Sequence, residues 1–457
     1  MNPEQMTHTE RRAASSLAGI YSLRMLGLFM ILPVFALYAE NLEGASPALI
    51  GLAIGIYGLT QGLFQIPFGM LSDRLGRKPV IAAGLVLFAL GSVMAALADD
   101  IYGVIAGRAL QGSGAIAAAI MALAADLTRE EHRVKIMAVI GMSIGASFSV
   151  AMVMGPVLDK WVGVSGIFWL TSVLAILGIA VLYLRVPTPV LSRVHRDAQT
   201  VPAQLHEVIR DGQLLRLDFG IFVLHLVLTS VFVVVPLMLR TEGLSSDRHW
   251  LVYLPVMLLA ITFMLPFIIL AEKKRRMKQV FVGAIAVLVV AIATLSLSAG
   301  SLLTIVVALW LYFTAFNLLE ASLPSLISKV APAQSKGTAM GVYSSAQFLG
   351  VFVGGVVGGV LHGSYGSHGV FLFDIAMLLI WLFLASTMRH PRYLASYILR
   401  VGELDPTAAR ELNLQLTSVR GVAEAVIMVE EGLAYLKVDS KALDRDALHR
   451  FSIEEGV

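Results

Sequence analysis

Apolar runs of about 20 residues, the length a helix needs to cross a bilayer, recur along almost the whole chain. About twelve can be drawn by that criterion. Six lie near residues 17–39, 47–70, 79–98, 101–125, 134–158 and 164–187, and six near 217–240, 248–271, 279–299, 302–328, 338–361 and 368–388. A polar interval from Thr188 to Arg216 separates the two sets. Inside hydrocarbon every backbone N–H and C=O must be satisfied within the protein, so runs of this length fold as a helical bundle. Only 14% of the residues are charged, against roughly 25% in an ordinary soluble domain. The first run is too long for the core of a cleavable signal peptide, contains Arg24 and lacks a small-x-small site after it, which predicts a retained first span.

Composition also sets aside several chemistries. The chain has no cysteine, so disulfides, cysteine-ligated zinc and cysteine nucleophiles are excluded. A net charge of +3 is too small to point to a nucleic-acid partner. No glycine-rich ATP-binding loop is present, so neither an enzyme nor a primary pump is expected, and no metal or cofactor beyond a proton gradient. The basic residues are placed unevenly. If the N-terminus is inside, the inner loops hold Arg11, Arg12, Arg74, Arg77, Lys78 and the Lys273–Lys278 cluster, while the outer loops hold only Lys160, Arg240 and Arg248. Lys and Arg accumulate on the cytoplasmic side, which predicts that both termini are cytoplasmic.

Four units follow: residues 1–190 and 217–389 as two six-helix halves, 191–216 as a linker, and 390–457 as a small α+β unit. The linker stretch 202–211 has apolar positions at helical spacing, which fits an amphipathic helix on the inner membrane surface or a solvated linker helix. In the last unit, residues 393–401 alternate like a strand, Asp405-Pro406 opens a helix, and residues 422–429 and 433–438 flank Glu430-Glu-Gly432 as a hairpin. A second helix is expected over residues 440–451. The order β-α-β-β-α suggests a ferredoxin-like module. Its roughly 65 residues make a marginal core, so docking on the cytoplasmic loops is expected.

Three stretches carry a resemblance. The first, Gly69-x-Leu71-x-Asp73-Arg74-x-Gly76-Arg77-Lys78, lies in the loop between the second and third runs. It resembles the signature of the major facilitator superfamily. Arg108-Ala-Leu-Gln111-Gly112-Ser-Gly114 resembles the motif of its proton-coupled members, and Gly141-x-x-x-Gly145 followed by Gly155-Pro156 resembles its antiporter motif. Asp159 stands where a closing glycine is often found, a departure that weakens the last match. The resemblance implies a 12-helix fold of two rocking halves, drug:proton antiport, and a bacterial inner (cell) membrane location. It also implies that Asp73 faces the N-terminal end of the eleventh helix near Gly337–Gly341, that Arg77 reaches Asp126, and that Gly69, Asp73, Gly76, Arg77 and Asp126 form a gate latch. The plainer alternative, a cluster that only fixes topology, explains Arg74 and Lys78 but not Asp73 or the glycines.

In such a fold the first, fourth, seventh and tenth helices line the cavity, and here they carry Arg24, Arg108, His225, and Asn317 with Glu320. Ionisable groups in a bilayer are costly and face a cavity or a partner. Arg24, His225 and Glu320 each lie about eight residues from the cytoplasmic end, roughly 12 Å at helical rise, and could share one layer. Glu320 is the preferred proton carrier, with His225 second. The alternatives for Glu320 are a permanent pair with Arg24 or a substrate contact. Arg108 stays charged, so it tunes a carboxylate, binds an anion or holds a carbonyl, but does not carry the proton. Gly155-Pro156 is expected to bend the fifth helix, and Gly141 and Gly145 to permit close backbone approach. Phe29, Tyr57, Gln61, Gln111 and Asn317 are the candidate cavity contacts. The expected function is export of amphipathic drug-like small molecules in exchange for protons. The alternatives are a facilitator or symporter of a sugar or metabolite, and a transporter-like sensor that reports through its C-terminal module.

Overall fold

A computed structural model describes residues 6–189, 204–298, 301–332, 335–389, 394–402, 404–429, 432–439 and 442–452. Among them, ten helical stretches are long and apolar enough to cross a membrane. The first joins α1 (His8–Phe29) to α2 (Leu32–Ala39), with Pro33 at the start of α2. Then come α3 (Pro47–Leu75), α4 (Arg77–Leu97), α5 (Ile101–Ser113) with α6 (Ala117–Asp126), and α7 (Glu130–Leu184). The short α8 (Leu205–Val208) precedes α9 (Gly212–Thr241), α10 (Trp250–Lys273), α11 (Met277–Ser296), α12 (Leu302–Val330) and α13 (Lys336–Ser386). Residues 201–203 lie outside the described residues, so of the expected linker helix only α8 is seen, with Val208 buried.

Two stretches are too long for one crossing. α7 has 55 residues and α13 has 51, more than twice what a bilayer requires. Each breaks at a glycine, Gly163 at φ 68° and Gly366 at φ 66°, a region that side chains with a Cβ resist. Divided there, the ten stretches become twelve, and both breaks fall in the gaps between the sequence runs. Pro156 lies inside the helix, seven residues before the break at Gly163.

The two sets of helices are closed against each other at the face opposite the chain termini. α13 carries glycines on two sides. Gly350, Gly354 and Gly358 lie on the backbone of Phe222, Leu226 and Ser230 of α9, and Gly355 and Gly359 lie on Gly51 and Gly55 of α3 and on Pro47. A Cβ at Gly354 would overlap the Leu226 carbonyl, so only glycine permits this approach. The α3–α13 contact weakens along α3: at Gly62 the nearest α13 atom is 3.4 Å from the position a Cβ would take, and at Gly69 the sole neighbour is Ala118 of α6. At the far face, Arg240 pairs with Glu40 at 2.6 Å and Lys160 with Asp247 at 3.6 Å, both joining the first set to the second.

The C-terminal unit holds β1 (Ala395–Arg400), α14 (Pro406–Ser418), β2 (Val422–Met428), β3 (Leu433–Val438) and α15 (Arg445–His449). The sheet order is β1-β3-β2 with both pairings antiparallel, so β1 and β2 run parallel on either side of β3. Asp405 caps α14, accepting from the Thr407 and Ala408 N–H groups at 2.8 and 2.9 Å. Leu399, Val401, Leu416, Leu436 and Leu448 form a core of its own. The second helix is shorter than the expected 440–451, and residues 430–431, within the expected turn, lie outside the described residues.

Candidate functional site

The polar groups of the first set gather around Arg24 and Arg108. α5 stops at Ser113, and this interruption frees the Gly114 carbonyl. Arg24 Nη2 donates to that carbonyl at 2.9 Å, to Tyr57 Oη at 2.9 Å and to Gln61 Oε1 at 2.6 Å. Its guanidinium carbon lies 5.2 Å from the Phe88 ring centre, a cation–π contact. Arg108 donates to the Ala53 carbonyl at 3.3 Å and to Gln111 Oε1 at 2.9 Å, and Gln111 in turn donates to Ser92 at 2.7 Å. Arg108 also lies 5.1 Å over the Tyr57 ring. Neither arginine is paired with a carboxylate among the described residues.

This arrangement corrects two expectations. Arg24 does not pair with Glu320, because the acceptors on α3 and at the α5–α6 interruption hold it within the first set. Tyr57, Gln61 and Gln111 are at most 1% exposed, so they are partners of the arginines and not cavity surface in this conformation. Phe29 is half-buried and meets Phe148 edge-on at 5.1 Å; Phe148 lies 5.8 Å from Phe316 of α12. These rings link the two sets of helices, and Phe148 and Phe316 were not singled out from the sequence.

The second set builds a different group. His225 of α9, Glu320 of α12 and Gln347 of α13 converge. Gln347 Nε2 lies 2.8 Å from His225 Nε2 and donates to Glu320 Oε1 at 3.4 Å; His225 Nε2 is 3.8 Å from Glu320 Oε2. His225 Nδ1 lies 3.3 Å from the Ile221 carbonyl, so the ring is held at both nitrogens. Glu320 keeps 34% of its side chain exposed, and Oε2 has no hydrogen-bond partner. Asn317, three residues earlier on α12, is half-buried with Nδ2 unpaired.

At the terminus-side face, Arg77 Nε donates to Asp126 Oδ2 at 3.0 Å and Nη1 to Ser72 at 2.9 Å, and Arg77 also pairs with Asp73. Asp73 thus turns back along its own chain. It is not at the start of α13, where the Thr338 hydroxyl bonds Gln204 of the linker at 3.0 Å. Closure at the far face carries α3 and α13 apart at this end. Gly76 has φ 93°, which gives the α3–α4 turn its reversal. Of the fifth-helix motif, Gly155 fits against the Met30 carbonyl and Pro33 where α1 gives way to α2. Gly141 and Gly145 face open space, so they mediate no close approach here.

The description of the Major Facilitator Superfamily matches residues 17–355 and 317–419. The chain belongs to the Major Facilitator Superfamily. The inner membrane transport protein YajR of Escherichia coli (strain K12) is 50% identical over 458 residues, covering 100% of this chain and 99% of that protein. The multidrug resistance protein MdtH of Yersinia enterocolitica is 24% identical over 346 residues, 74% of this chain and 82% of that protein. Among solved structures, a bacterial homolog of the human lysosomal transporter Spinster, in an inward-facing and occupied conformation, superposes with a TM-score of 0.68 at 14% identity, covering 84% of this chain and 98% of that one. As a facilitator-superfamily member the chain is a membrane-spanning secondary transporter, mostly helical, with a small three-stranded C-terminal sheet.

Proposed function

We propose that the chain is a proton-driven exporter of amphipathic drug-like compounds that works by rocking two six-helix halves, residues 1–190 and 217–389, joined by the 191–216 linker. The observation that carries this reading is Glu320: a carboxyl within a bilayer-length helix, partly exposed, beside a histidine and an amide. Such a group can hold a proton in one conformation and release it in another, because small movements of its partners change the cost of its charge. When His225 takes a proton, Nε2 becomes a donor, Gln347 must yield its place, and the imidazolium faces Glu320. The multidrug name of the MdtH relative supports an amphipathic cargo, and the name of the E. coli relative supports the bacterial inner membrane, with both termini cytoplasmic by the Lys and Arg bias.

The latch belongs to the opposite stroke. Arg77 holds Asp126 and Asp73 now; when the far face opens and the terminus-side ends of α3 and α13 approach, Asp73 turns to the start of α13, where the helix dipole favours an anion. Residues 390–457 form a ferredoxin-like module docked on this side. Lys437 of β3 donates to the Ser328 carbonyl near the end of α12 at 2.8 Å, and Arg275 pairs with Asp439 at 3.0 Å.

The test is proton flux in proteoliposomes with ethidium, a bile acid and a glucoside as the probe panel. Export coupled to proton entry that is abolished in Glu320→Gln supports the reading. Sugar uptake with protons, or coupling unchanged in the variant, overturns it.

A further inference from the structure

The proposed transport cycle leaves unused a row of polar side chains on α1. His8, Arg11, Arg12 and Ser15 stand at i, i+3, i+4 and i+7, so they share one face of the helix, and all four are exposed. With Arg185 at the end of α7 they line an open cleft of about 580 Å³, within the roughly 300–1,000 Å³ of small-molecule sites. Arg12 joins the two helices. Its Nε donates to the Arg185 carbonyl at 2.8 Å and its Nη2 to the Leu184 carbonyl at 3.2 Å, which satisfies carbonyls at the negative end of the α7 dipole. A guanidinium has five N–H donors, so Arg12 keeps donors for a ligand. Among the described residues no carboxylate pairs with Arg11, Arg12 or Arg185, and the Arg11 and Arg185 side chains make no hydrogen bond. Glu10, next to them in sequence, is buried and held by Arg129 at 3.1 Å. The cleft lies where the apolar spans begin and end, at headgroup level. Beside it, Leu184, Tyr183, Leu177, Ile176 and Val173 form an exposed apolar stripe on α7. From Leu184 back to Val173 the stripe runs about 16 Å at helical rise, the depth of one hydrocarbon leaflet of about 15 Å. On α1, Gly19, one turn beyond Ser15, faces open space.

We propose that this cleft binds an anionic glycerophospholipid of the terminus-side leaflet, with its phosphate among Arg11, Arg12 and Arg185 and an acyl chain along the α7 stripe. The proposal does not depend on the transported cargo. A guanidinium matches phosphate oxygens bidentately, which an ammonium cannot do. Three guanidiniums without a carboxylate partner favour a headgroup of net negative charge and repel the ammonium of a zwitterionic one. A soluble phosphate would meet the same arginines. The apolar stripe decides between the two, because only an occupant with acyl chains covers it. The bound phosphate then bridges the start of the first span and the end of the last span of the first set, the two ends that Arg12 already joins.

The experiment uses the full chain, delipidated in detergent micelles, with bound lipid counted by native mass spectrometry. Phosphatidylglycerol and cardiolipin are titrated beside phosphatidylcholine and free glycerol phosphate. The anionic lipids are expected to be retained at concentrations where phosphatidylcholine is not. The double variant Arg11→Gln/Arg185→Gln is expected to weaken their binding about 25-fold, at about fivefold for each basic residue near an anionic surface. Neither side chain is bonded to the rest of the protein, so this variant should keep the wild-type elution volume. Lys273→Gln/Lys274→Gln removes the same charge from the α10–α11 turn and is expected to change the affinity by less than about twofold. For the acyl chain, brominated phosphatidylglycerol is expected to quench the added emission of Leu177→Trp more than brominated phosphatidylcholine does, and Arg11→Gln/Arg185→Gln should erase that difference. Equal losses in the arginine and lysine variants would show a delocalised attraction and overturn the proposal. Glycerol phosphate binding as tightly as the lipids would make the cleft a soluble-phosphate site, and equal retention of phosphatidylcholine would remove its charge selectivity; either result overturns it too.

Discussion

Arg24 and Arg108, on α1 and α5, are sealed and meet only neutral acceptors, whereas His225 and Glu320, on α9 and α12, form a looser group with one-third of the Glu320 side chain exposed. Both groups are polar islands within membrane-length helices, yet they are held differently. The arginines keep their charge at any physiological pH, and backbone carbonyls, amides and aromatic faces surround them. The carboxyl and the imidazole can each gain or lose a proton, and the 3.8 Å between them leaves room for either state. Under the proposed reading, the first set of helices is scaffold and the second set switches.

The largest expected effect tests the frame on which both groups depend. Gly354→Leu would drive a side chain into the Leu226 backbone of α9 and should abolish the folded, monodisperse protein on size-exclusion chromatography, while Gly145→Leu, facing open space, should be tolerated. Next, Arg24→Ala should cost about 3 kcal/mol by stranding Gly114 O, Gln61 and Tyr57, read as a lower unfolding midpoint in denaturant. Glu320→Gln should leave that midpoint nearly unchanged while eliminating proton coupling. If Arg24→Ala spared stability and removed coupling, the division of labour would be reversed.

A smaller effect lies outside the membrane. Burial pushes the Lys437 amine down to about 8 from its ordinary 10.5, with Lys336 adding repulsion. Between those values the docked state carries fewer protons than the released one, so docking should tighten as pH rises through that window and stay flat below about 8. Energy transfer between dyes on Leu414→Cys and the α10–α11 turn would report this, and Lys437→Met should remove the dependence.

Much of the fold was legible because its signals are local. Apolar runs marked the spans, and their gaps anticipated the breaks at Gly163 and Gly366. Asp405-Pro406 marked the start of α14, and alternation marked the strands. The site was legible only in part. His225 and Glu320 were placed in one layer correctly, but Arg24 was placed with them by depth alone, which says nothing about which side of a helix offers better acceptors. Tyr57, Gln61 and Gln111 read as cavity residues because polar side chains in an apolar run look alike whether they face a cavity or an arginine.

By itself the sequence determined that this chain spans a membrane, roughly where its spans lie, and which family it belongs to, since hydrocarbon permits only long apolar helices and the family motifs are contiguous. Tertiary structure alone decided which polar groups meet. Arg24 turns to Gly114 and not to Glu320, Asp73 pairs with Arg77, and His225 meets Gln347 beside Glu320. Those pairings depend on how helices distant in sequence rotate and cross, and α13 sets much of that geometry, because its glycines let α3 and α9 approach to backbone contact.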